Sequence, residues 1–418
     1  MTNDLIKIAK GLPLGFHKVK NEDGKIEEIK TKLDGGDLAT YIKEYFKNRF
    51  RYNLLELKLE FDKKPLEVGI DKLLYIQLQQ LGYSVGQQNA MNSLLYVAKQ
   101  NSFHPIVEFL ENLEKDKSIE PVDINEISTN YLGTNNPLYD QMMKVTLIGM
   151  IARVLNRGCK FDTCLTLKGE QGIGKSSFWR ILAGEEWFCD TWQQGEKDLL
   201  LTIQTCWVFE IAELDGMTNK KDAAQIKSLL SSSTDNFRRP YEAAPDNHPR
   251  PSIFVGTCNR ADFLTDSTGS RRFQIIDLEN NFIDLEKLEK DRLKILKAAL
   301  KAYRDGEKTY LDNKYQMQSD KNNLNYQQEN PFMSDIENWL EKPRKGEFGD
   351  FVNIKEGFST KDIIVWSKCR DEGKVNTADC RLAANCLTRL GFKQSLKREE
   401  NKVMRKWYKQ EQVTDVAD

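Results

Sequence analysis

Apolar residues recur three and four positions apart through LATYIKEYFKNRF (38–50), IDKLLYIQLQQLG (70–82) and NAMNSLLYVAKQ (89–100). That is helical spacing, so these segments predict amphipathic helices, with a strand pair around LLELKLEF. HPIVEFLENL opens a further helix at Pro105, and His104 before it reads as a capping or core residue. The block predicts an N-terminal, mainly helical domain over 37–135, preceded by a polar tail or linker at 1–36. Another amphipathic helix runs from Tyr139 to Leu155. From there to about Leu278 short apolar runs alternate with helical segments, the signature of an α/β domain with a parallel sheet, placed at 136–310.

Residues 311–331 are rich in Asn, Gln, Asp and Lys with little to bury, and predict a linker. Beyond it SDIENWLEK, STKDIIVWSKCR and ADCRLAANCLTRLG read as helices, the last ending at Gly391, and FKQSLKREENKVMRKWYK as two strands around a Glu-Glu-Asn turn. Helices followed by a β-hairpin predict a winged-helix-like α+β domain at 332–410, with a tail at 411–418.

The 418 residues supply ample core for two or three domains. Charge changes the picture little, since 62 basic residues face 63 acidic ones and any nucleic-acid surface must be local. Eight cysteines without a C-x-x-C pair, and three histidines, argue against zinc and against a disulfide framework. The N-terminus lacks a long apolar stretch, and VTLIGMIA stops at Arg153, so the chain reads as soluble and cytoplasmic, with no membrane partner.

The candidate chemistry centres on LKGEQGIGKSSFW (167–179), which fits G-x-x-x-x-G-K-[ST] at Gly169, Gly174, Lys175 and Ser176. Backbone N–H groups of Gly169, Glu170, Gln171, Gly172, Ile173, Gly174, Lys175, Ser176 and Ser177 would cradle the phosphates of ATP, with the following helix adding its positive dipole end. Lys175 would reach the outer phosphates and the Ser176 hydroxyl would sit on Mg²⁺. FDTCLTL before the loop and SSFWRILAG after it give the order strand, loop, helix that this role needs. About 35 residues after Lys175, CWVFEIAELDG ends an apolar run in acids. Glu210 is the first choice for the metal and Glu213 for orienting water, with the two roles exchangeable and Asp215 a third candidate.

Next, PSIFVGTCN ends at Asn259, and TDSTGSRRFQIIDL places Arg271 and Arg272 on a turn before another apolar run. Between acids and Asn259, Lys227, Arg238, Arg239, Tyr241, His248 and Arg250 interleave basic and aromatic groups in a projecting element that would grip single-stranded DNA or line a subunit interface. In the C-terminal hairpin, residues 392–409 carry seven basic side chains, among them Lys397, Arg398, Lys402 and Arg405, against two acidic ones. With Trp407 and Tyr408 they would suit a phosphate backbone.

Taken in order, NSFHPIVEFLENL, YLGTNNPLYDQ, IARVLNRGCKFDTCLTLKGEQGIGKSSFWRILAGEEWFCDTW, WVFEIAELDG, FRRPYE, PRPSIFVGTCN and TGSRRF resemble the virulence-associated protein E family of phage and mobile-element P-loop ATPases, over roughly residues 95–280. That family is similar to superfamily 3 helicases of the AAA+ group. The resemblance implies an α/β AAA+ core and a homo-hexameric, DNA-stimulated ATPase in phage or plasmid-like replication, moving 3′ to 5′. Lys175 and Ser176 would be Walker A, Glu210 and Glu213 the acidic motif, Asn259 the sensor with Thr257 in reserve, and the Arg271–Arg272 pair a finger supplied in trans. Relatives of this kind can be joined to a primase-polymerase, so a primase-polymerase is an expected partner in cis or in trans and residue 1 would follow a missing N-terminal half. The acidic motif departs from the pattern, because Ile211 and Ala212 separate its glutamates. Two other readings compete with a helicase: a DNA-binding assembly module with little unwinding, and a P-loop kinase for a small molecule.

Overall fold

The structure is a computed structural model that describes residues 15–66, 69–214, 220–238, 244–260, 263–264, 270–279, 281–327, 330–345, 349–399 and 402–409. Its chain divides into two compact units, the larger made of residues 1–217, 221–260 and 271–323, the smaller of 324–418 with the short stretches 218–220 and 261–270.

The larger unit opens with a hairpin, β1 (Phe16–Lys20) and β2 (Ile26–Lys32), where the sequence predicts a polar tail. Phe16, Val19, Ile26 and Ile29 stay exposed, so the strands carry no buried stripe to betray them. The turn chemistry was the legible signal: Asn21 Oδ1 accepts from the Lys25 N–H at 2.8 Å and Gly24 takes φ +76°. Helix α1 (Gly35–Phe46) follows, capped by Asp34, whose side chain accepts from the Asp37 N–H. Strands β3 (Phe50–Asn53), β4 (Lys58–Phe61) and β5 (Lys64–Pro65) are antiparallel neighbours, so the expected strand pair is centred two residues earlier, with LLEL as its turn and Leu57 at φ +59°. Helix α2 (Ile70–Gln80), β6 (Tyr83–Ser84), α3 (Gln87–Gln100) and β7 (Ser102–Phe103) complete this part. Leu38, Ile42, Phe46, Phe50, Phe61, Leu78 and Leu94 form its separate core.

The chain then enters a larger core through α4 (Pro105–Lys115), α5 (Ile127–Leu132) and α6 (Pro137–Leu155). Proline at the first turn suits α4 and α6, since its missing N–H has no helical partner there. From β8 (Cys164–Lys168) the order is α7 (Lys175–Ala183), β9 (Phe188–Cys189), α8 (Glu196–Gln204), β10 (Val208–Ile211), α9 (Lys220–Ser231), the antiparallel pair β11 (Thr234–Phe237) and β12 (Asp246–Pro249), β13 (Ile253–Cys258) and β14 (Phe273–Asp277). Five of these strands form one parallel sheet in the order β14-β8-β13-β10-β9. Apolar runs such as IFVGTC are buried along their whole length, as expected of strands covered on both faces. The alternation of apolar runs and helices thus yields the parallel α/β sheet it predicts. One close contact sets the cover: a Cβ at Gly149 in α6 would stand 2.1 Å from the Phe161 ring.

Helix α10 (Leu285–Arg304) packs on α6 and α7. Helix α11 (Asn313–Asn323) replaces most of the expected linker. Besides Tyr315, which packs on the larger core, it docks through amides: Asn322 and Asn323 donate to the Ile275 and Phe273 carbonyls at 3.0 and 2.9 Å. Those carbonyls lie on the outer edge of β14, the sheet's edge strand, and would otherwise lack partners.

The smaller unit contains α12 (Met333–Glu341), α13 (Thr360–Trp366), α14 (Thr377–Arg389) and the antiparallel pair β15 (Phe392–Glu399) and β16 (Lys402–Lys409). Capping boxes open α13 at Ser359 and Asp362, and α14 at Asn376 and Asp379. Ile336, Trp339, Phe358, Ile363, Leu387, Phe392 and Trp407 make its core. Among the described residues no helix is long and apolar enough to cross a membrane.

Candidate nucleotide-binding site

Parallel strands deliver their carboxyl ends to one edge of the sheet, and β8, β13 and β10 are adjacent there. The glycine loop follows β8, Asn259 follows β13, and Glu210 is the third residue of β10. Residues remote in sequence therefore meet around one depression of about 310 Å³, lined by Gln171, Gly172, Lys175, Ser176, Glu213 and Asn259 among others.

The loop has the backbone that its glycines permit. Gly172 and Gly174 take φ +87° and +97°, a region costly for residues with a Cβ. Gly174 is also the N-cap of α7, and no side chain caps that helix, so its first N–H groups face the depression's rim without a side-chain acceptor. At Gly169 a Cβ would meet the Ile173 side chain at 2.6 Å, so the first glycine is fixed by packing within the loop.

Lys175 is buried and its Nζ donates to the carbonyls of Gly169 and Glu170, each at 2.7 Å, and to Asn259 Oδ1 at 3.0 Å. Ser176 Oγ donates to Glu210 Oε1 at 2.7 Å, and Thr257 Oγ1 donates to the same oxygen at 2.7 Å. Glu210 is 1% exposed, and its other oxygen, Oε2, is buried without a partner among the described residues. Burial pushes the Glu210 carboxyl above the usual carboxylate range, against the two hydroxyl bonds, which favour the charged form. Glu213 is exposed on the rim and holds φ +51°, a strained value for a non-glycine residue.

A family described as the virulence-associated protein E-like domain matches residues 110–328, just over half of the 418 residues. The chain belongs to the virulence-associated protein E-like domain family. The matched region starts within α4 and runs past β14 through α10 and α11, further than the motif resemblance reaches. No curated protein matches the chain. Among solved structures, an apo structure of the NrS-1 C-terminal region aligns at 15% identity over 70% of this chain and 77% of that chain, with a TM-score of 0.41. An A-form apo structure of the same region aligns at 13% identity over 71% and 78%, with a TM-score of 0.40.

Within this family member the remaining sequence candidates fall in several places. Arg271 and Arg272 precede β14, whose Phe273 pairs with Cys164 and whose Asp277 pairs with Lys168. The pair thus stands at the amino-terminal edge of the sheet, while the glycine loop leaves the carboxyl edge about 15 Å away at roughly 3.3 Å per strand residue. Arg271 is exposed; Arg272 Nε donates to Ser231 Oγ at 3.1 Å. Arg238 is exposed at the end of β11, and Lys227 is half-buried on α9. Two candidates of this segment are internal. His248 is 4% exposed, its ring packs on Phe237 at 4.6 Å and its Nε2 lies 3.0 Å from the Phe237 carbonyl, so it is part of the hairpin's own packing and not a DNA-facing group. Arg250 is fully buried in an ion pair with Asp235. Trp407 is likewise core, donating from Nε1 to Thr360 Oγ1 at 2.8 Å, while Arg405 is exposed on β16. Asp215, Arg239 and Tyr241 lie outside the described residues, as do the side chains of Lys397, Arg398 and Lys402.

Sequence reasoning missed two features of the site. Thr257, held in reserve as a sensor, also holds Glu210. Arg180 on α7 pairs with Asp190 at 2.8 Å, just beyond β9, and both act on the charge of Glu210. The signal for the second was available, since Arg180 follows Lys175 on the same helix, but Asp190 follows a strand of only two residues.

Proposed function

We propose that the chain is an ATPase of a ring-forming helicase or translocase, acting on single-stranded DNA in the replication of a phage or mobile element. The observation that carries the reading is the buried Glu210 carboxylate, fixed by Ser176 and Thr257 on one oxygen and left with an orphaned second oxygen beside the glycine loop. A buried carboxylate oxygen without a partner is costly unless a cation or water completes it. Ser176 and Glu210 fit the donor set for Mg²⁺, and the loop 169–177 fits a P-loop for the phosphates of ATP.

Bound Mg²⁺·ATP would supply the transferable phosphoryl group and the positive charge that stabilises its departure. The chain's own residues do the rest. Lys175 exchanges its loop carbonyls for phosphate oxygens, Asn259 senses the outer phosphate from its bond to Lys175, and exposed Glu213 orients the attacking water. Arg271 or Arg272 cannot reach the glycine loop of its own subunit from the far edge of the sheet, which supports a finger donated to a neighbour and therefore an oligomer, as a hexamer closes it. Arg238, with the basic β15–β16 pair of a winged-helix-like unit, would contact DNA phosphates.

A second reading keeps the same site but limits its work to assembly around DNA and a primase-polymerase, with little or no unwinding. The left-handed Glu213, set apart from Glu210 by two residues, favours it. Strand displacement on forked DNA with ATP separates the two. Unwinding that is lost in Lys175→Ala supports the helicase, while ATP-dependent DNA binding without displacement supports the assembly module.

A further inference from the structure

Two separate elements are fastened to the carboxyl end of α9. Arg250, at the foot of β12, donates from Nη1 to the Leu229 carbonyl, from Nε to Asp235 Oδ2 at 3.0 Å, and from Nη2 to Asp235 Oδ1. Its backbone N–H reaches the Ser233 carbonyl at 3.0 Å, and Asp235 accepts a further bond from Gln204 at 2.9 Å. These bonds bolt the root of the β11–β12 pair to the helix end. Two residues on, Ser231 Oγ donates to the Lys227 carbonyl at 2.8 Å and accepts from Arg272 Nε at 3.1 Å. The helix end thus holds both the element whose outer end carries Arg238 and the arginine pair at the far edge of the sheet.

We propose that Ser231 is a positioning residue that couples occupancy of the β11–β12 pair by single-stranded nucleic acid to the placement of Arg272. The inference rests on the function proposed above. The Asp235–Arg250 clasp is fully buried, and separating its members would strand a charge in the core, so the strand pair and the end of α9 move as one body. Ser231 is exposed and meets Arg272 through one hydrogen bond, which makes it the link that can be cut without unfolding either element. Its hydroxyl must donate to the helix and accept from the guanidinium at once, which threonine can do and alanine cannot.

The test uses the full chain, an oligo-dT probe, and two readouts at one salt concentration: oligonucleotide affinity, and ATP turnover with and without the probe. Ser231→Ala is expected to melt with wild type, as exposed substitutions do, and to bind the probe equally. Its ratio of DNA-stimulated to DNA-free turnover should fall about fivefold or more, the size of an ordinary coupling between sites. Ser231→Thr should restore the ratio. An unchanged ratio in Ser231→Ala overturns the coupling and leaves the proposed function standing. A wild-type chain that neither binds the probe nor hydrolyses ATP removes that function and the coupling with it. Arg250→Ala is unsuited to the purpose, because it dismantles the strand pair's root along with the link.

Discussion

Glu210 is placed where its charge would serve the Mg²⁺ of the proposed function and burdens the folded chain. Burial raises its pKa, so ionising it costs more in the folded than in the unfolded protein. The sign follows: its stabilising contribution is complete below the ordinary carboxyl value near 4.5 and is lost as the pH rises through the higher folded value. Glu210→Gln, which keeps an oxygen for Ser176 and Thr257, is therefore predicted to melt no lower than wild type at neutral pH. The two melting curves should converge as the pH falls below 4.5, and turnover should drop by about 100-fold or more with loss of the charge. Thermal unfolding across pH, with ATPase assays on the same samples, checks both parts. Lys175, Ser176, Glu210, Glu213 and Asn259 were legible as candidates because a fixed loop spacing and acids or amides at strand ends are local patterns. Burial of His248 and Arg250 was not, since polarity in a segment does not report which side chains a hairpin turns inward.

Among elements, the sheet was the most legible and the polar pieces the least. Strands such as CLTLK and IFVGTC announce themselves because a strand buried on both faces must be apolar throughout. Helix α11 escaped notice because it is held by asparagine amides on an open sheet edge, a contact that leaves no apolar stripe. The β1–β2 pair escaped for the related reason that neither face is buried. Packing at the β11–β12 root has a measurable consequence. Arg250→Ala leaves Asp235 charged and buried, and is predicted to destabilise the larger unit by about 3–5 kcal/mol in urea unfolding. Arg238→Ala at the exposed end should leave stability within about 0.5 kcal/mol of wild type while weakening oligonucleotide binding.

For the whole molecule, near-neutral charge leaves any attraction for nucleic acid to local basic surfaces, and binding should weaken steeply with salt only if those surfaces are used. Separation of the arginine pair from the glycine loop of the same chain predicts complementation between subunits. Lys175→Ala and the double variant Arg271→Ala/Arg272→Ala should each be inactive alone, and their mixture should recover ATP turnover wherever an intact loop meets an intact arginine pair. The most direct measurement is the ATPase rate of the wild-type chain with and without single-stranded DNA, with the oligomeric mass recorded on the same samples. Strongly DNA-stimulated turnover in a ring-sized species, absent in Lys175→Ala, is the predicted result. Turnover by a monomer indifferent to DNA, or a rate that survives Lys175→Ala, would contradict it.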